Sequence, residues 1–377
     1  MASLYIHIPF CARRCIYCDF YSTVGQKDKL KIYLHSVIKE FEKQKYLLTQ
    51  PIETIYIGGG TPSLLCEQDL SFLFSELLKG KTLFSNNMEV TLEANPEQLT
   101  KEYLSFLANQ TPINRLSIGV QSFNDKDLKL LNRKHSSEQA QKALLTAQEV
   151  GFKNISLDLI FALPSMSLDD WKQNLQKAIE LNPQHISAYC LTIEQGTMIA
   201  TMIAKGKLNL PSEEEQLSQF DYTISFLQAN GFTHYETSNY ARKGFCSQHN
   251  SAYWSGVPYI GLGASAHSFD GTNRWWNCAN IDSYISAIEQ GHCPYTKETL
   301  STKDHYNEYV LTHSRLSEGF STAVVKEKYP DFYPDFSKKM LLLSKQGLLD
   351  FQSATKTYIP TLKGWHLQDT IARELFV

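Results

Sequence analysis

The chain has 377 residues, 20% of them charged, and a formal net charge of -3 at pH 7. This length can bury the core of one large domain and a smaller one. The lack of a basic excess argues against a nucleic-acid partner, and no apolar run reaches the roughly 18 residues needed to span a membrane. The N-terminal segment lacks the features of a signal peptide, so we expect a cytoplasmic, reducing location.

Three cysteines follow the first predicted strand, Leu4–Ile8, with the spacing C-x3-C-x2-C: Cys11, Cys15 and Cys18. Three thiolates on one loop suit a [4Fe–4S] cluster, because they leave one of its irons open to another ligand. A structural zinc site needs four protein ligands, and the other cysteines of the chain stand singly. Cys15-x-x-Cys18 would also suit a thioredoxin-like redox pair or half a zinc site, but neither needs Cys11.

Short strand patterns alternate with amphipathic helix patterns through the first half of the chain. This alternation predicts a parallel sheet with helices outside, curved or closed into a barrel, whose chemistry lies at the C-terminal strand ends. The predicted strands are Leu4–Ile8, Thr54–Ile57, Glu89–Glu93, Arg115–Gly119, Ile155–Leu159 and His185–Cys190. The predicted helices between them are Lys27–Lys45, Glu67–Leu78, Lys101–Leu107, Glu138–Val150 and Leu168–Leu181.

Polar residues recur at the same end of these strands, so we expect one site to collect them. Gly58–Pro62 follows the second strand, Glu93 ends the third, Gln121 lies past the fourth and Asp158 sits in the fifth. The glycines allow a ligand to approach the backbone, and exposed N–H groups there would hold a carboxylate. Taken singly, the glycine run also suits a tight turn, Glu93 a surface charge, and Arg133 a solvated helix charge.

Four segments together resemble the radical S-adenosylmethionine (SAM) superfamily, and within it the oxygen-independent coproporphyrinogen III oxidase group. They are Tyr5–Cys11, Gly58–Ser63, Ser117–Phe123 and Asp158–Pro164. Within this group the chain is most similar to the HemW branch, whose members are regarded as heme chaperones. The resemblance covers nearly the whole chain. It implies an α/β fold, a partial (β/α)6 radical-SAM barrel with a small, mainly helical, winged-helix-like C-terminal domain.

The resemblance also implies roles for individual residues. Cys11, Cys15 and Cys18 would hold the [4Fe–4S] cluster, and SAM would bind its open iron through its amino and carboxylate groups. The residues implied to line SAM are Tyr5, Tyr17, Gly60, Thr61, Glu93, Gln121, Arg133 and Asp158. The implied chemistry is reductive cleavage of SAM to methionine and a 5′-deoxyadenosyl radical.

An H-N-x-x-Y-W element at His249–Trp254 is associated with heme binding in the HemW branch. His249 would then be an axial ligand, because neutral imidazole binds heme iron well. Without the resemblance, a packing role is the more common one for a histidine among such neighbours. Cys246 and His267 are weaker candidates for a heme ligand.

The oxidases of the group carry a fourth cysteine two residues after the third, where this chain has Phe20, and an N-terminal extension before the cluster loop. We therefore expect a heme chaperone that hands heme to an acceptor protein, respiratory proteins among the candidates. The alternative is a coproporphyrinogen III oxidase that decarboxylates propionates. A third alternative is another radical SAM enzyme with an unidentified substrate.

The strand–helix rhythm stops past residue 280. The patterns there predict helices Ile281–Gln290, His305–Arg315, Phe336–Lys345 and Trp365–Leu375, with a short hairpin before the last. We predict three regions: a core barrel over residues 1–235, a connecting segment over 236–280 with the H-N-x-x-Y-W element, and a helical domain over 281–377.

Overall fold

The structure is a computed structural model that describes the backbone of residues 1–377 and every side chain except those of residues 80–82. The chain folds into two compact units. Unit 1 comprises residues 1–219 and 247–298, and unit 2 comprises residues 220–246 and 299–377. The division into three regions at residues 235 and 280 stays a prediction.

Strands and helices alternate along the chain. The strands are β1 (Ala2–Ile8), β2 (Phe10–Cys11), β3 (Thr23–Val24), β4 (Ile52–Gly59), β5 (Phe84–Ala94), β6 (Arg115–Gln121), β7 (Ile155–Phe161), β8 (His185–Cys190), β9 (Thr233–Glu236), β10 (Asn239–Ala241), β11 (Tyr259–Leu262), β12 (His267–Phe269), β13 (Asn273–Asn277), β14 (Tyr295–Thr299), β15 (Phe320–Ser321), β16 (Leu349–Gln352) and β17 (Thr357–Pro360). The α-helices are α1 (Leu30–Gln44), α2 (Glu67–Leu77), α3 (Lys101–Gln110), α4 (Asp125–Leu130), α5 (Ser137–Val150), α6 (Leu168–Glu180), α7 (Met198–Ala204), α8 (Glu213–Ala229), α9 (Gln248–Trp254), α10 (Ile281–Glu289), α11 (Thr302–His313), α12 (Thr322–Lys328), α13 (Tyr333–Lys345), α14 (Leu362–His366) and α15 (Gln368–Leu375).

The large sheet of unit 1 has the strand order β14-β13-β12-β11-β1-β4-β5-β6-β7-β8. The strands from β11 to β8 in this order pair in parallel, and β12 and β13 continue the sheet in antiparallel fashion. The sheet stays open instead of closing into a complete barrel. The predicted partial barrel is thereby confirmed, and all six predicted strands are present.

Each parallel strand has an apolar and a polar face, because successive side chains of a strand point to opposite sides. In β4, Ile55 and Ile57 lie on the apolar face and are fully buried. Helices such as α1 and α5 pack against this sheet. Thr54 and Tyr56 lie on the opposite face, which gathers the polar side chains of β1 and of β4 to β8. Helix α9 contacts β1 and β4 on that polar side.

A buried carboxylate joins α1 to the later part of unit 1. Glu40 is fully buried and accepts hydrogen bonds from the Gln44 amide (2.7 Å), the Asn277 amide (2.6 Å), the Gly263 backbone N–H (2.8 Å) and the Tyr284 hydroxyl (2.6 Å). These four donors satisfy the carboxylate oxygens, which burial has removed from water. Glu40 therefore holds the segment that contains β11 to β13 and α10 against α1.

Unit 2 contains the β9–β10 hairpin and a three-stranded sheet of order β15-β17-β16. Helices α11 to α15 surround an apolar core that includes Phe320, Phe336, Met340 and Leu349. Helices followed by a hairpin confirm the mainly helical C-terminal region predicted from the sequence. Within the described part of the chain, no helix combines the length and apolar character that a membrane crossing requires.

Candidate cofactor site

The three cysteines lie on one loop whose two ends are tied together. Strand β2, which ends at Cys11, pairs in parallel with β3, so residues 12–22 form a closed loop between them. Inside the loop, the Cys18 backbone N–H donates to the Cys15 carbonyl at 3.4 Å. All three cysteines are partly exposed. The fold therefore presents three thiols together at the C-terminal end of β1.

Two of the three sulfur atoms receive hydrogen bonds from side chains outside the cysteine loop. The Thr61 hydroxyl donates to Cys11 Sγ at 3.6 Å, and Arg133 Nη1 donates to Cys15 Sγ at 3.4 Å. Burial raises the pKa of the Cys11 thiol, and it raises the pKa of the Cys18 thiol to about 11. Because a bound metal ion deprotonates a coordinating thiol, we expect thiols in the unloaded loop and thiolates in the loaded one.

The glycines of the loop at the end of β4 lie so close to neighbouring atoms that a side chain would not fit there. A Cβ on Gly60 would lie 3.0 Å from Cys11 Sγ and 2.8 Å from the Phe10 carbonyl oxygen. Gly59 has a φ of +112°, and a Cβ there would lie 2.6 Å from the His7 ring. The two glycines therefore let the backbone of this loop pack directly against the start of the cysteine loop and against His7.

The N–H groups of this loop are already used within the protein. Gly59 N–H donates to Glu93, Gly60 N–H to the Ile8 carbonyl and Thr61 N–H to the Phe10 carbonyl. The prediction that the loop exposes N–H groups to a carboxylate is therefore wrong for these three. The physical reason is that neighbouring strands supply the acceptors. The pairing of β1 with β4 continues to the last residues of both strands and brings Gly60 to Ile8, while β5 supplies the acceptor for Gly59 and β2 the one for Thr61.

Glu93 lies half-buried at the C-terminal end of β5. Its Oε1 accepts the Tyr56 hydroxyl at 2.9 Å, and its Oε2 accepts the Gly59 N–H at 3.0 Å. Burial, together with the nearby charge of Asp158, raises the pKa of Glu93 to about 7. Glu93 is thus an interior carboxylate of the site and not a surface charge.

Asp158 and Gln121 face the same region from β7 and β6. The Ser117 hydroxyl approaches the two Asp158 oxygens at 3.2 and 2.9 Å, and burial raises the pKa of Asp158. Gln121 ends β6 with a φ of +67°, which is uncommon for a residue with a side chain. A Cβ on Gly119 would lie 2.8 Å from Gln121 Nε2, so this glycine makes room for the glutamine.

Arg133 lies inside the site instead of on a solvated helix face. Its Nη2 donates to Asn95 Oδ1 at 2.6 Å and to the Gly119 carbonyl at 2.7 Å, in addition to the contact with Cys15. Its Nε is buried and has no hydrogen-bond partner among the described residues. An unsatisfied guanidinium N–H beside the cysteine loop fits an anionic group such as a ligand carboxylate.

Tyr5 lies on β1 and Tyr17 lies within the cysteine loop, between Cys15 and Cys18. The Tyr5 hydroxyl lies 2.9 Å from His7 Nδ1, and His7 Nε2 lies 2.9 Å from the Tyr21 carbonyl oxygen. Because a carbonyl only accepts, Nε2 carries the proton and Nδ1 accepts from Tyr5. Burial lowers the pKa of His7 to about 4, which keeps it neutral. Tyr17 is partly buried, and burial raises the pKa of its hydroxyl.

Comparisons with known proteins give this geometry a family. Residues 5–178 match the family model described as the radical SAM superfamily. The heme chaperone HemW of Bacillus subtilis (strain 168) is 35% identical over 357 residues, which covers 92% of this chain and 94% of that protein. The heme chaperone HemW of Lactococcus lactis subsp. lactis (strain IL1403) is 34% identical over 348 residues, covering 92% and 90%.

The chain belongs to the HemW family. Its fold is also that of a solved structure, described as coproporphyrinogen III oxidase (HemN) from Escherichia coli, a radical SAM enzyme. That match has a TM-score of 0.84 at 25% identity and covers 99% of this chain and 89% of the other. The resemblance inferred from the motifs is confirmed at the level of superfamily and branch.

The residues of the site fit the groups that radical SAM proteins use. Among the described side chains, no group of three His, Cys, Asp or Glu could hold one metal ion. A [4Fe–4S] cluster makes a different demand, since each cysteine binds a different iron. Cys11, Cys15 and Cys18 meet this demand as three thiols of one loop. The unpartnered Nε of Arg133, whose Nη1 donates to Cys15 Sγ, suits the carboxylate of SAM.

His249 lies apart from the cysteine loop, at the start of α9. It is only 1% exposed, and burial lowers its pKa to about 3, so the ring is neutral. Its Nδ1 lies 2.7 Å from Thr54 Oγ1, and its Nε2 lies 2.9 Å from the Tyr253 hydroxyl. Because Thr54 donates its proton to Ser3 Oγ, Nδ1 carries the imidazole proton and Nε2 accepts from Tyr253. Heme ligation by His249 stays a prediction that requires Tyr253 to release Nε2.

The other two heme candidates occupy different surroundings. His267 is exposed on β12, where its ring stacks on Trp276 at a centroid distance of 5.9 Å. Cys246 belongs to unit 2 and forms no disulfide.

Several residues of the site were missed in the sequence. Asn95 positions Arg133, Tyr56 binds Glu93, and Glu89 accepts the backbone N–H of His249 at 3.1 Å. The strand period carried a signal for Tyr56, because it alternates with Ile55 and Ile57 and thus shares the face of Gly58. No local pattern pointed to Glu89, whose partner lies 160 residues further along the chain.

Proposed function

We propose that the protein is a heme chaperone that holds a [4Fe–4S] cluster and SAM, binds heme and hands it to an acceptor protein. The observation that carries this proposal is the similarity to the HemW heme chaperones of two bacteria, which extends over 92% of this chain in each case. Respiratory proteins are among the candidate acceptors. We also propose a cytoplasmic location, which suits eight cysteines that form no disulfide in the described chain.

The strand-end site would receive the cluster and SAM. Cys11, Cys15 and Cys18 would hold the cluster and leave one iron to SAM. Bound there, the two groups supply one-electron reductive chemistry, while the protein orients SAM and excludes water. Glu93 would accept a hydrogen bond from the SAM ammonium or a hydroxyl, and Arg133 would donate to its carboxylate through the unpartnered Nε.

His249 would bind the heme iron through Nε2. The ring is neutral, and the Nδ1–H bond to Thr54 fixes the tautomer that leaves the lone pair on Nε2. A hydrogen bond on the other ring nitrogen is the usual means of orienting a ligating histidine. In the present arrangement the Tyr253 hydroxyl occupies that lone pair. Heme binding at His249 therefore exchanges a phenol hydrogen bond for an iron bond.

The alternative is a coproporphyrinogen III oxidase, favoured by the structural match to E. coli HemN at a TM-score of 0.84. Fold similarity by itself does not carry an activity, because related sites on one fold serve different functions. At the position where the resemblance places a fourth cysteine in the oxidases, this chain has Phe20, which is 66% exposed. A phenyl ring cannot replace a thiol as a ligand or redox group, so we favour the chaperone.

Turnover separates the two functions. The cluster is reconstituted anaerobically, SAM, a strong reductant and coproporphyrinogen III are added, and tetrapyrrole products are identified by mass, with a known oxidase run in parallel. We expect no protoporphyrinogen IX from this protein while the control is active. Formation of protoporphyrinogen IX would make the protein an enzyme of heme synthesis.

Heme binding is then measured directly. Ferric heme is titrated into the protein and followed by its Soret absorption, and we expect saturation at one heme per chain. A Soret band that does not differ from that of the same heme in protein-free buffer would contradict the chaperone function.

A further inference from the structure

A continuous set of side-chain contacts joins the candidate SAM site to His249. The Tyr56 hydroxyl donates to Glu93 Oε1 at 2.9 Å, at the strand-end site. The ring of the same tyrosine stacks on the His249 imidazole, with 5.0 Å between ring centroids and 29° between ring planes. Tyr56 is therefore in direct contact with both candidate sites.

Besides the Tyr56 ring, residues of α9 and β5 also hold His249 in place. The Tyr253 hydroxyl occupies Nε2, and the Glu89 carboxylate accepts the backbone N–H groups of Gln248 and His249 at 3.2 and 3.1 Å. These contacts hold the first turn of α9 against the polar face of the sheet. To bind an iron at Nε2, the imidazole must part from the Tyr253 hydroxyl. Because His249 is only 1% exposed, its ring must also shift along or away from the Tyr56 ring to meet the iron.

The bond between Tyr56 and Glu93 opposes that shift. It fixes the tyrosine ring at its outer end, while the backbone of β4 fixes it at the other. A ring held at both ends offers the imidazole one stacked position. If the hydroxyl is released, the tyrosine side chain can turn about its own torsions, and His249 loses one of the surfaces that keep it in place.

A ligand of Glu93 would release the hydroxyl. Each oxygen of Glu93 accepts one hydrogen bond, Oε1 from the Tyr56 hydroxyl and Oε2 from the Gly59 N–H, and each can accept a second. An ammonium that arrives at Oε1 shares this oxygen with the tyrosine hydroxyl, and the charged donor forms the stronger bond and weakens the one to the tyrosine. The Gly59 N–H belongs to the backbone and cannot turn away, whereas the tyrosine hydroxyl can.

We propose that binding of SAM at Glu93 raises the affinity of His249 for heme iron, with Tyr56 as the positioning residue that links the two sites. The proposal rests on the proposed function, since it presumes that SAM and heme bind to this chain. Linkage is reciprocal, so heme raises the affinity for SAM by the same factor. Two ligands that favour one arrangement of Tyr56 and His249 need no contact with each other.

The test measures heme affinity with and without SAM. Ferric heme is titrated into the reconstituted protein under anaerobic conditions, without reductant so that SAM stays intact, and SAM binding is measured by equilibrium dialysis with and without heme. We expect SAM to raise heme affinity about tenfold, within the usual range of coupling between two sites. The dialysis should give the same factor in the opposite direction.

Tyr56→Phe removes the hydroxyl and keeps the ring. We expect this variant to bind heme more tightly than wild type in the absence of SAM, and the SAM effect to fall below about twofold. Tyr103→Phe is the matched control, because it removes a buried hydroxyl that donates to the Leu65 carbonyl, away from His249. It should keep the wild-type SAM effect.

Tyr253→Phe tests the contact at the heme end of the connection, between the Tyr253 hydroxyl and His249 Nε2. Loss of the hydroxyl uncovers Nε2, so heme affinity should rise by the same factor with and without SAM. An unchanged heme affinity would remove His249 as the ligand and overturn the linkage. If Tyr56→Phe does not fold, the proposal is still tested by Tyr253→Phe and by comparing, in the wild type, the effect of SAM on heme affinity with the effect of heme on SAM affinity.

The outcomes separate the linkage from the function. A wild-type protein that binds no heme overturns the proposed function and the linkage with it. Heme binding that SAM changes less than about twofold overturns the linkage and leaves the chaperone function standing. If SAM raises the heme affinity of Tyr56→Phe as much as that of the wild type, Tyr56 does not link the two sites.

Discussion

Replacing Glu93 with glutamine should weaken SAM binding while the fold stays in place. Gln keeps the shape of the side chain: its amide oxygen can accept the Gly59 N–H, and its NH2 group can donate to the Tyr56 oxygen, whose own proton rotates away. The loss is the negative charge. A hydrogen bond to a charged group contributes about 1.5–3 kcal/mol, so the affinity for SAM should fall roughly 10- to 150-fold.

The pH dependence of SAM binding should report the same carboxylate. Burial raises the pKa of Glu93 to about 7 from a reference value of 4.5. A protonated Glu93 does not attract an ammonium, so SAM affinity should fall as the pH drops below about 7, by up to about tenfold per unit. Glu93→Gln should lose this dependence, because its side chain does not titrate.

The stability of the unliganded protein should change with pH in the opposite sense. The folded pKa of Glu93 lies above the unfolded value, so the folded state binds its proton more tightly. The stabilisation is fully present below about pH 4.5 and is lost as the pH rises through about 7. The shift corresponds to at most about 3 kcal/mol, because Glu93 keeps some contact with solvent. Acid pH therefore stabilises the fold at Glu93 while it weakens SAM binding.

Equilibrium dialysis of SAM between about pH 5.5 and 8.5 covers this window. Wild type, Glu93→Gln and Glu138→Gln are reconstituted anaerobically, and visible absorption confirms equal cluster content. Glu138 is exposed on α5 and serves as the control. Affinity of Glu93→Gln within about twofold of wild type, or a wild-type affinity that does not change with pH, would refute a contact between Glu93 and the SAM ammonium.

Three further predictions address the cluster, heme and the fold. Cys15→Ala should abolish the visible absorption of the reconstituted cluster while Cys293→Ala keeps it; a cluster of undiminished absorption in Cys15→Ala would contradict the ligand set. His249→Ala should weaken heme binding, measured by Soret titration, without loss of cluster absorption, and unchanged heme affinity would exclude this ligand. Glu40→Ala leaves four buried donors without an acceptor and should lower the free energy of unfolding in urea by about 4 kcal/mol or more. Glu42→Ala, exposed on the same helix, should change it by less than about 0.5 kcal/mol, and an equal effect of the two would show that the Glu40 contacts contribute little.

Local pattern was sufficient for the strands and for the cysteine loop. The alternation and apolar character of a strand are properties of adjacent residues. The strands Ile155–Phe161 and His185–Cys190 were therefore predicted with the first residue that the structure shows. The C-x3-C-x2-C spacing likewise lies within one loop. The alternation in β4 also places Tyr56 and Gly58 on the face opposite to the isoleucines, but it does not tell which residue Tyr56 contacts.

Only the tertiary structure decided what the longer-range residues do. Spacing left Arg133 as either a solvated charge or a ligand, and the fold places its guanidinium on the Gly119 carbonyl and beside Cys15, 118 residues away. The sequence offered His249 as a heme ligand, but only the fold shows that Thr54, 195 residues away, and Tyr253 occupy its two nitrogens. Periodicity and spacing record which side chains share a face, whereas hydrogen-bond partners follow from which strands become neighbours, and that depends on the packing of the whole sheet.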